Sequence, residues 1–126
     1  MTLLPRVIFS GSREFRDPKP VQFALESLSL RGKWRVVHGA ARGLDSLAGE
    51  LAPGYTFEVE AHPAEWDKHK RAAGPIRNQK MVDLGALVAF AFPLGESRGT
   101  RDFICRAREA QIPVLCWDGK MFQRIP

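Results

Sequence analysis

Residues 87–104, LVAFAFPLGESRGTRDFI, decide how the rest of the chain is read. The apolar run from Leu87 to Phe92 reads as a buried strand, Pro93 ends it, and Gly95, Ser97, Gly99 and Thr100 form a loop of small residues before a helical pattern begins. Strand, glycine loop and helix in that order make one unit of a parallel α/β sheet. Small side chains let backbone N–H groups approach a ligand. The helix N-terminus adds partial positive charge, so residues 95–100, Glu96 included, suit an anion such as a phosphate. Glycine and serine also satisfy the dihedral angles of any tight turn, and for this loop alone both readings stand.

The same unit recurs towards the N-terminus. Residues 5–10, PRVIFS, read as the first strand and run into Gly11, Ser12 and Arg13. Open α/β sheets place ligands beyond the carboxyl ends of their strands, which makes these three binding candidates, the alternative being a solvated turn. Asp17-Pro18 is an N-cap followed by proline in the first helical turn, and Val21, Ala24, Leu25 and Leu28 repeat at helical spacing until Arg31-Gly32. Residues 34–38, WRVVH, read as the second strand, leading into Gly39-Ala40-Ala41-Arg42-Gly43-Leu44-Asp45. The helix that follows carries Leu44, Leu47, Ala48 and Leu51 on one face and closes at Pro53-Gly54. Asp45 near its start compensates the helix dipole or, as the second reading, serves as a catalytic or ribose-binding carboxylate.

Residues 55–61 alternate as a third strand that His62-Pro63 stops. Residues 64–73, AEWDKHKRAA, are polar and are expected to form a mobile flap beside the ligand site. His62, Asp67 and His69 match no standard ligand spacing, so no metal is expected. Gly74-Pro75 opens a short helix, IRNQKMVDLG, whose apolar pattern is poor. That directs attention to Arg77 and Asn78 at its start: a planar guanidinium suits a phosphate, although an exposed arginine is more often simply solvated. Residues 86–92 are the fourth strand, the next helix runs to about Ala110, residues 112–117 are the fifth strand, and Asp118-Gly119 signals a hairpin with residues 120–125. Four strand–helix units in series predict a single-domain α/β fold over residues 1–126. The sheet is expected to be doubly wound, five-stranded and mainly parallel, with helices on both faces and a C-terminal hairpin adding an antiparallel edge.

Composition bounds the function. The 126 residues are 44% hydrophobic and 26% charged, as in an ordinary globular domain. The N-terminal stretch MTLLPRVIFSGSREF has neither a membrane span nor the order of a signal peptide, which predicts a cytoplasmic protein without membrane association. Lys and Arg number 19 against 14 Asp and Glu, a balance that favours anionic partners without naming them. The basic residues are scattered, the nearest approach to a cluster being Lys68, Lys70 and Arg71. Cys105 and Cys116 match no zinc or redox spacing and read as buried free thiols. No G-x-G-x-x-G follows the first strand and no G-x-x-x-x-G-K-[ST] occurs, so no dinucleotide cofactor is expected.

Taken together, FSGSREFRD, HGAARGLDSLA, AEWDKHKRAAGPIRNQKM and FPLGESRGTRDFICRAREAQIPV resemble the SLOG superfamily and, within it, the small stand-alone proteins described as YspA-like or cpYpsA-related. The resemblance runs from about Val7 to Val114 with four motifs in order. It implies a Rossmann-like fold binding a nucleotide-derived ligand, as a sensor or processor, at the carboxyl ends of the strands. More distant relatives are the LOG phosphoribohydrolases and the DNA loader DprA. Gly95, Gly99 and Thr100 fall where the phosphoribohydrolases carry a proline-glycine-glycine-x-glycine-threonine loop, but Leu94 lengthens the loop here, and Arg101, Asp102 and Phe103 stand where those enzymes place glutamates. Arg77 and Asn78 match their arginine-bearing helix. Gly39 and Gly43 match their second-strand loop, with Ala40 in place of a glycine.

The resemblance therefore implies phosphate held at residues 95–100, Arg77 pairing with it or with the base, and residues 11–13 and 39–43 lining the ribose. N-glycosidic cleavage, if it accompanies binding, would use Asp102 first and Asp45 second, as carboxylates that stabilise oxocarbenium character. The alternative is a DprA-type single-stranded nucleic-acid-binding protein with Trp34, Trp66 and Phe15 as stacking platforms. Apolar positions near Phe122 and Ile125 could serve a homo-oligomer interface.

Overall fold

The computed structural model describes residues 3–126; Met1 and Thr2, which open the N-terminal stretch, lie outside the described residues. In chain order the elements are β1 (Arg6–Gly11), α1 (Pro18–Ser29), β2 (Arg35–His38), α2 (Leu44–Leu51), β3 (Glu58–Ala61), α3 (Trp66–His69), α4 (Ala73–Asp83), β4 (Val88–Phe92), α5 (Arg98–Glu109), β5 (Val114–Trp117) and β6 (Phe122–Ile125). The strands form one six-stranded sheet in the order β3-β2-β1-β4-β5-β6. Every neighbouring pair is parallel except β5 and β6, so the hairpin supplies the antiparallel edge. This is the Rossmann-like arrangement expected from the sequence.

A parallel sheet must be covered on both faces, and the alternation along the central strands shows how. Val7 and Phe9 of β1 pack with Val21, Leu25, Val36, Leu44 and Phe92 under α1 and α2. Ile8 joins Val37, Ala89 and Ala91 on the other face, beneath Met81 and Val82 of α4 and Phe103 and Ala107 of α5. The first layer is strongly aromatic: Phe9 stacks on Phe90 and Phe92 at centroid separations of 5.2 and 6.0 Å. Asp17 caps α1 through the N–H of Lys19 at 3.0 Å, with Pro18 in the first turn as the sequence predicts.

Strand order reverses between β1 and β4, the place where an open α/β sheet leaves a crevice beyond its carboxyl edge. Gly11 ends β1 here. A Cβ on it would lie 2.5 Å from Leu44 Cγ and 2.9 Å from the Phe92 carbonyl oxygen, so only glycine allows β1, β4 and the start of α2 to close together.

Several expectations are corrected. Residues 64–73, expected as a mobile flap, carry regular structure: α3 and a 3-10 turn, Lys70–Ala72, lead directly into α4. The Glu65 carbonyl accepts the N–H groups of Lys68 and His69 at 3.1 and 2.9 Å, so the backbone is satisfied locally although no side chain of α3 is buried. The third strand begins at Glu58, because Ala52–Tyr55 form a 3-10 turn that ends at left-handed Thr56. Cys105 is exposed and Cys116 half-buried, rather than both buried. Trp34 and Phe15 belong to the core, and the Trp34 indole N–H donates to the Leu28 carbonyl at 2.9 Å. Among the described residues no helix is long and apolar enough to cross a membrane.

Candidate functional site

At the β1–β4 crevice lies a cleft of about 490 Å3. The loop after β1 contributes Gly11, Ser12 and Arg13; α4 contributes Arg77 and Asn78; the start of α5 contributes Ser97, Gly99, Thr100 and Asp102; and Asp45 reaches in from α2. A smaller chamber of about 330 Å3 opens beside it, lined by Gly39, Ala40 and Arg42. Gly43, Gly95 and Glu96 line neither space. Gly43, at φ 77°, lies beneath the first loop, where a Cβ would meet the Arg13 carbonyl group. Gly95 and Glu96 are exposed ahead of α5, and their carbonyl oxygens accept the Arg101 guanidinium.

The first turn of α5 has unused donors. Ser97 is left-handed, at φ 45°, and its hydroxyl donates to Thr100 Oγ1 at 2.8 Å instead of capping the helix. The helical ladder begins only at the Arg101 N–H, which reaches the Ser97 carbonyl at 3.0 Å. The N–H groups of Arg98, Gly99 and Thr100 therefore have no acceptor within the helix.

The loop after β2 is the opposite case. Asp45 Oδ2 accepts the N–H groups of Gly39 at 3.0 Å and Ala41 at 3.2 Å, while the Ala40 N–H donates to His38 Nδ1 at 2.9 Å. Three consecutive backbone donors are thus consumed inside the protein. Burial pushes the Asp45 carboxyl up to about 6, against the lowering effects of those N–H groups and of the Arg77 charge. Burial likewise pushes the His38 imidazole down, helped by His62 and Arg77.

Arg77 connects this loop to α5. Its Nη1 donates to the carbonyl oxygens of Gly39 and His62, and its Nε donates to Asn78 Oδ1 at 2.9 Å. Asn78 is almost fully buried, so its amide must be satisfied: Nδ2 donates to the Gly99 carbonyl at 3.2 Å and to Asp102 Oδ2 at 3.0 Å. Arg106 completes the chain with a 2.9 Å bond to the same Asp102 oxygen. Partial burial would raise the Asp102 carboxyl, but the bonds from Arg106 and Asn78 prevail and hold it below the ordinary carboxylate range. The two carboxylates singled out from sequence therefore stand at opposite ends of one relay, running from Asp45 through Gly39, Arg77 and Asn78 to Asp102.

Trp66 and Arg71 also line the cleft, from the stretch that the sequence places beside the ligand site, and Arg98 lines it from within the loop at residues 95–100. The Arg13 guanidinium lies over the Trp66 ring, 5.1 Å from its centroid. The available signal was Trp66 itself, an aromatic side chain in a polar stretch with no apolar stripe to join. Among the described residues no group of three or more His, Cys, Asp or Glu side chains is arranged to hold a metal ion.

Residues 5–69 match the family described as the YspA, cpYpsA-related SLOG family. The chain is also similar to the gene 61 protein of Mycobacterium phage D29, with 41% identity over 122 residues, covering 91% of this chain and 98% of the phage protein. The family match takes in β1, β2 and β3 with their loops, and the phage relative extends the likeness over nearly the whole chain. With the sheet order and the crevice between β1 and β4, these similarities establish that the chain belongs to the YspA, cpYpsA-related SLOG family.

Proposed function

We propose that the chain binds a nucleotide-derived ligand carrying a ribose phosphate, with the phosphate at the first turn of α5 and the ribose against residues 11–13. The observation that carries this reading is the uncapped N-terminus of α5: it opens into a cleft that Arg13, Arg71, Arg77 and Arg98 also line. Unused N–H groups, the helix dipole and guanidinium groups all favour a compact anion. Family membership supports a nucleotide-related ligand in general terms.

The test is a thermal-shift and calorimetry screen of purified protein against mononucleotides and ADP-ribose-type molecules, at low and high salt. A ligand present at about a hundred times its dissociation constant stabilises the fold by about 2.7 kcal/mol, which such a scan resolves. A shift that survives high salt supports the pocket reading. Silence across the panel, together with salt-dependent oligonucleotide binding, replaces it with the nucleic-acid reading. That alternative is weakened by the burial of Trp34 and Phe15, which leaves Trp66 as the exposed member of its three stacking platforms.

Asp102 favours one chemical extension. Its ionised carboxylate faces the cleft within α5 and suits stabilisation of positive charge at a ribose C1′ during N-glycosidic cleavage. Release of free base from a bound nucleotide, abolished by Asp102→Asn with binding retained, would support an enzyme. Binding without base release would leave a sensor.

A further inference from the structure

The side chamber and the main cleft share Arg13, Ala41, Trp66 and Arg77, and the Arg13–Trp66 pair stands at their junction. Trp66 is 45% exposed, and its ring edge lies over Gly74, where a Cβ would sit 3.6 Å from the ring. An exposed indole with a cation over one face can take a planar ring there once the cation moves aside.

The donors around the chamber are already committed. The N–H groups of residues 39–41 go to Asp45 and His38, Arg42 pairs with Glu14 at 2.7 Å, and Arg77 Nη1 is held by the Gly39 and His62 carbonyls. Arg13 apart, the chamber therefore offers a second phosphate few free donors. What it offers is a π face beside Ala41, Pro63 and Ala64. Arg13 is differently placed. Its backbone is fixed, because the adjoining Ser12 carbonyl accepts the N–H groups of Phe15 and Leu44 and Gly43 packs against the Arg13 carbonyl. Its guanidinium makes no hydrogen bond or ion pair among the described residues, so the side chain can leave the indole without moving the loop.

We infer that Trp66 is the platform for the planar base of the ligand, and that Arg13 occupies that ring face until the base displaces it. The inference rests on the nucleotide reading above and adds to it the seat of the base. Stacking of a base on an aromatic ring outweighs an exposed cation–π contact, so the exchange is favourable. The released Arg13 also lines the main cleft, where it can pair with the phosphate.

The experiment is calorimetric titration of wild type, Trp66→Phe and Trp66→Ala with AMP, GMP and ribose 5-phosphate, with intrinsic fluorescence followed in parallel. No residue of α3 is buried, so both variants retain the fold, which circular dichroism verifies. Trp66→Ala is expected to lose roughly tenfold in affinity for AMP and GMP and none for ribose 5-phosphate. Trp66→Phe should keep most of the nucleotide affinity while losing the fluorescence change, because Trp34 and Trp117 lie outside the cleft. Unchanged AMP and GMP affinity in Trp66→Ala would overturn the inference and leave the phosphate reading intact. Failure of all three probes to bind wild type would overturn the nucleotide reading and this inference with it.

Discussion

Arg77 donates to the carbonyl oxygen of Gly39, and a Cβ added to Gly39 would collide with the same guanidinium. The glycine is thus a requirement of the arginine's position, since its own φ lies outside the left-handed region. Gly39→Ala is expected to cost about 1–2 kcal/mol of stability, because the colliding atoms are the far end of a flexible side chain. Its effect on AMP affinity should be as large as that of Arg77→Ala. The check is a double-mutant cycle by calorimetry: the double variant should bind no more weakly than either single variant. Additive losses would show that Gly39 acts on the ligand by another route.

Asp45 gives the protein a defined pH response. Its carboxyl titrates near 6 in the fold against an ordinary value of 3.8. Well below pH 3.8 it is protonated both folded and unfolded. As the pH rises towards 6 the unfolded chain has released a proton that the folded protein keeps, so stability declines; above 6 the full cost of about 3 kcal/mol is in place. One oxygen, Oδ2, accepts both backbone N–H groups, so the amide oxygen of Asn can replace it. Asp45→Asn should therefore gain on wild type as the pH is raised from 4 to 7. Urea denaturation at several pH values measures this, and a constant difference between the two proteins would refute it.

Gly43 holds the loop after β2 tightly against the loop after β1. Its φ of 77° is strained for any residue with a side chain, and a Cβ would lie 2.5 Å from the Arg13 carbonyl carbon, which is backbone and cannot yield cheaply. Gly43→Ala should destabilise by roughly 2 kcal/mol or more, in contrast to the milder Gly39→Ala. Chemical denaturation of the two variants side by side tests the contrast.

Asn78→Asp would replace a donor with an acceptor 3.0 Å from Asp102 Oδ2. Two carboxylates at that distance repel, and the Gly99 carbonyl loses its partner. The expected loss is about 2–3 kcal/mol at pH 7, recovering below about pH 5 as one carboxyl regains a proton and can donate. Thermal denaturation across that range should show the recovery, and a loss independent of pH would mean that Asn78 matters only for packing.

The strands and most helices were legible because they follow short-range rules. Asp17-Pro18 announced α1, the apolar residues of β1 and β4 announced buried strands, and Asp118-Gly119 announced the β5–β6 hairpin. The turns over residues 66–72 were not legible, because a helical turn without a buried face leaves no periodicity to detect. The glycine loops and Arg77 could be singled out by residue type, but their connections could not. That Asn78 joins Arg77 to Asp102, or that Asp45 occupies the donors of residues 39–41, depends on which segments the crossovers bring together. Trp34 and Trp66 were both candidate stacking platforms, yet one fills the core beneath Leu28 and the other faces the cleft.

The cleft draws its walls from the loop after β1, from α2, from α4 and from the start of α5, and it sits over the junction where β1 meets β4. An occupant would fasten the two halves of the sheet across their seam, and the amide protons between Val7 and Gly11 and their β4 partners could then exchange with solvent only after the ligand had left. Hydrogen exchange at those amides should slow with ligand concentration, whereas exchange at β6, on the far edge, should not change.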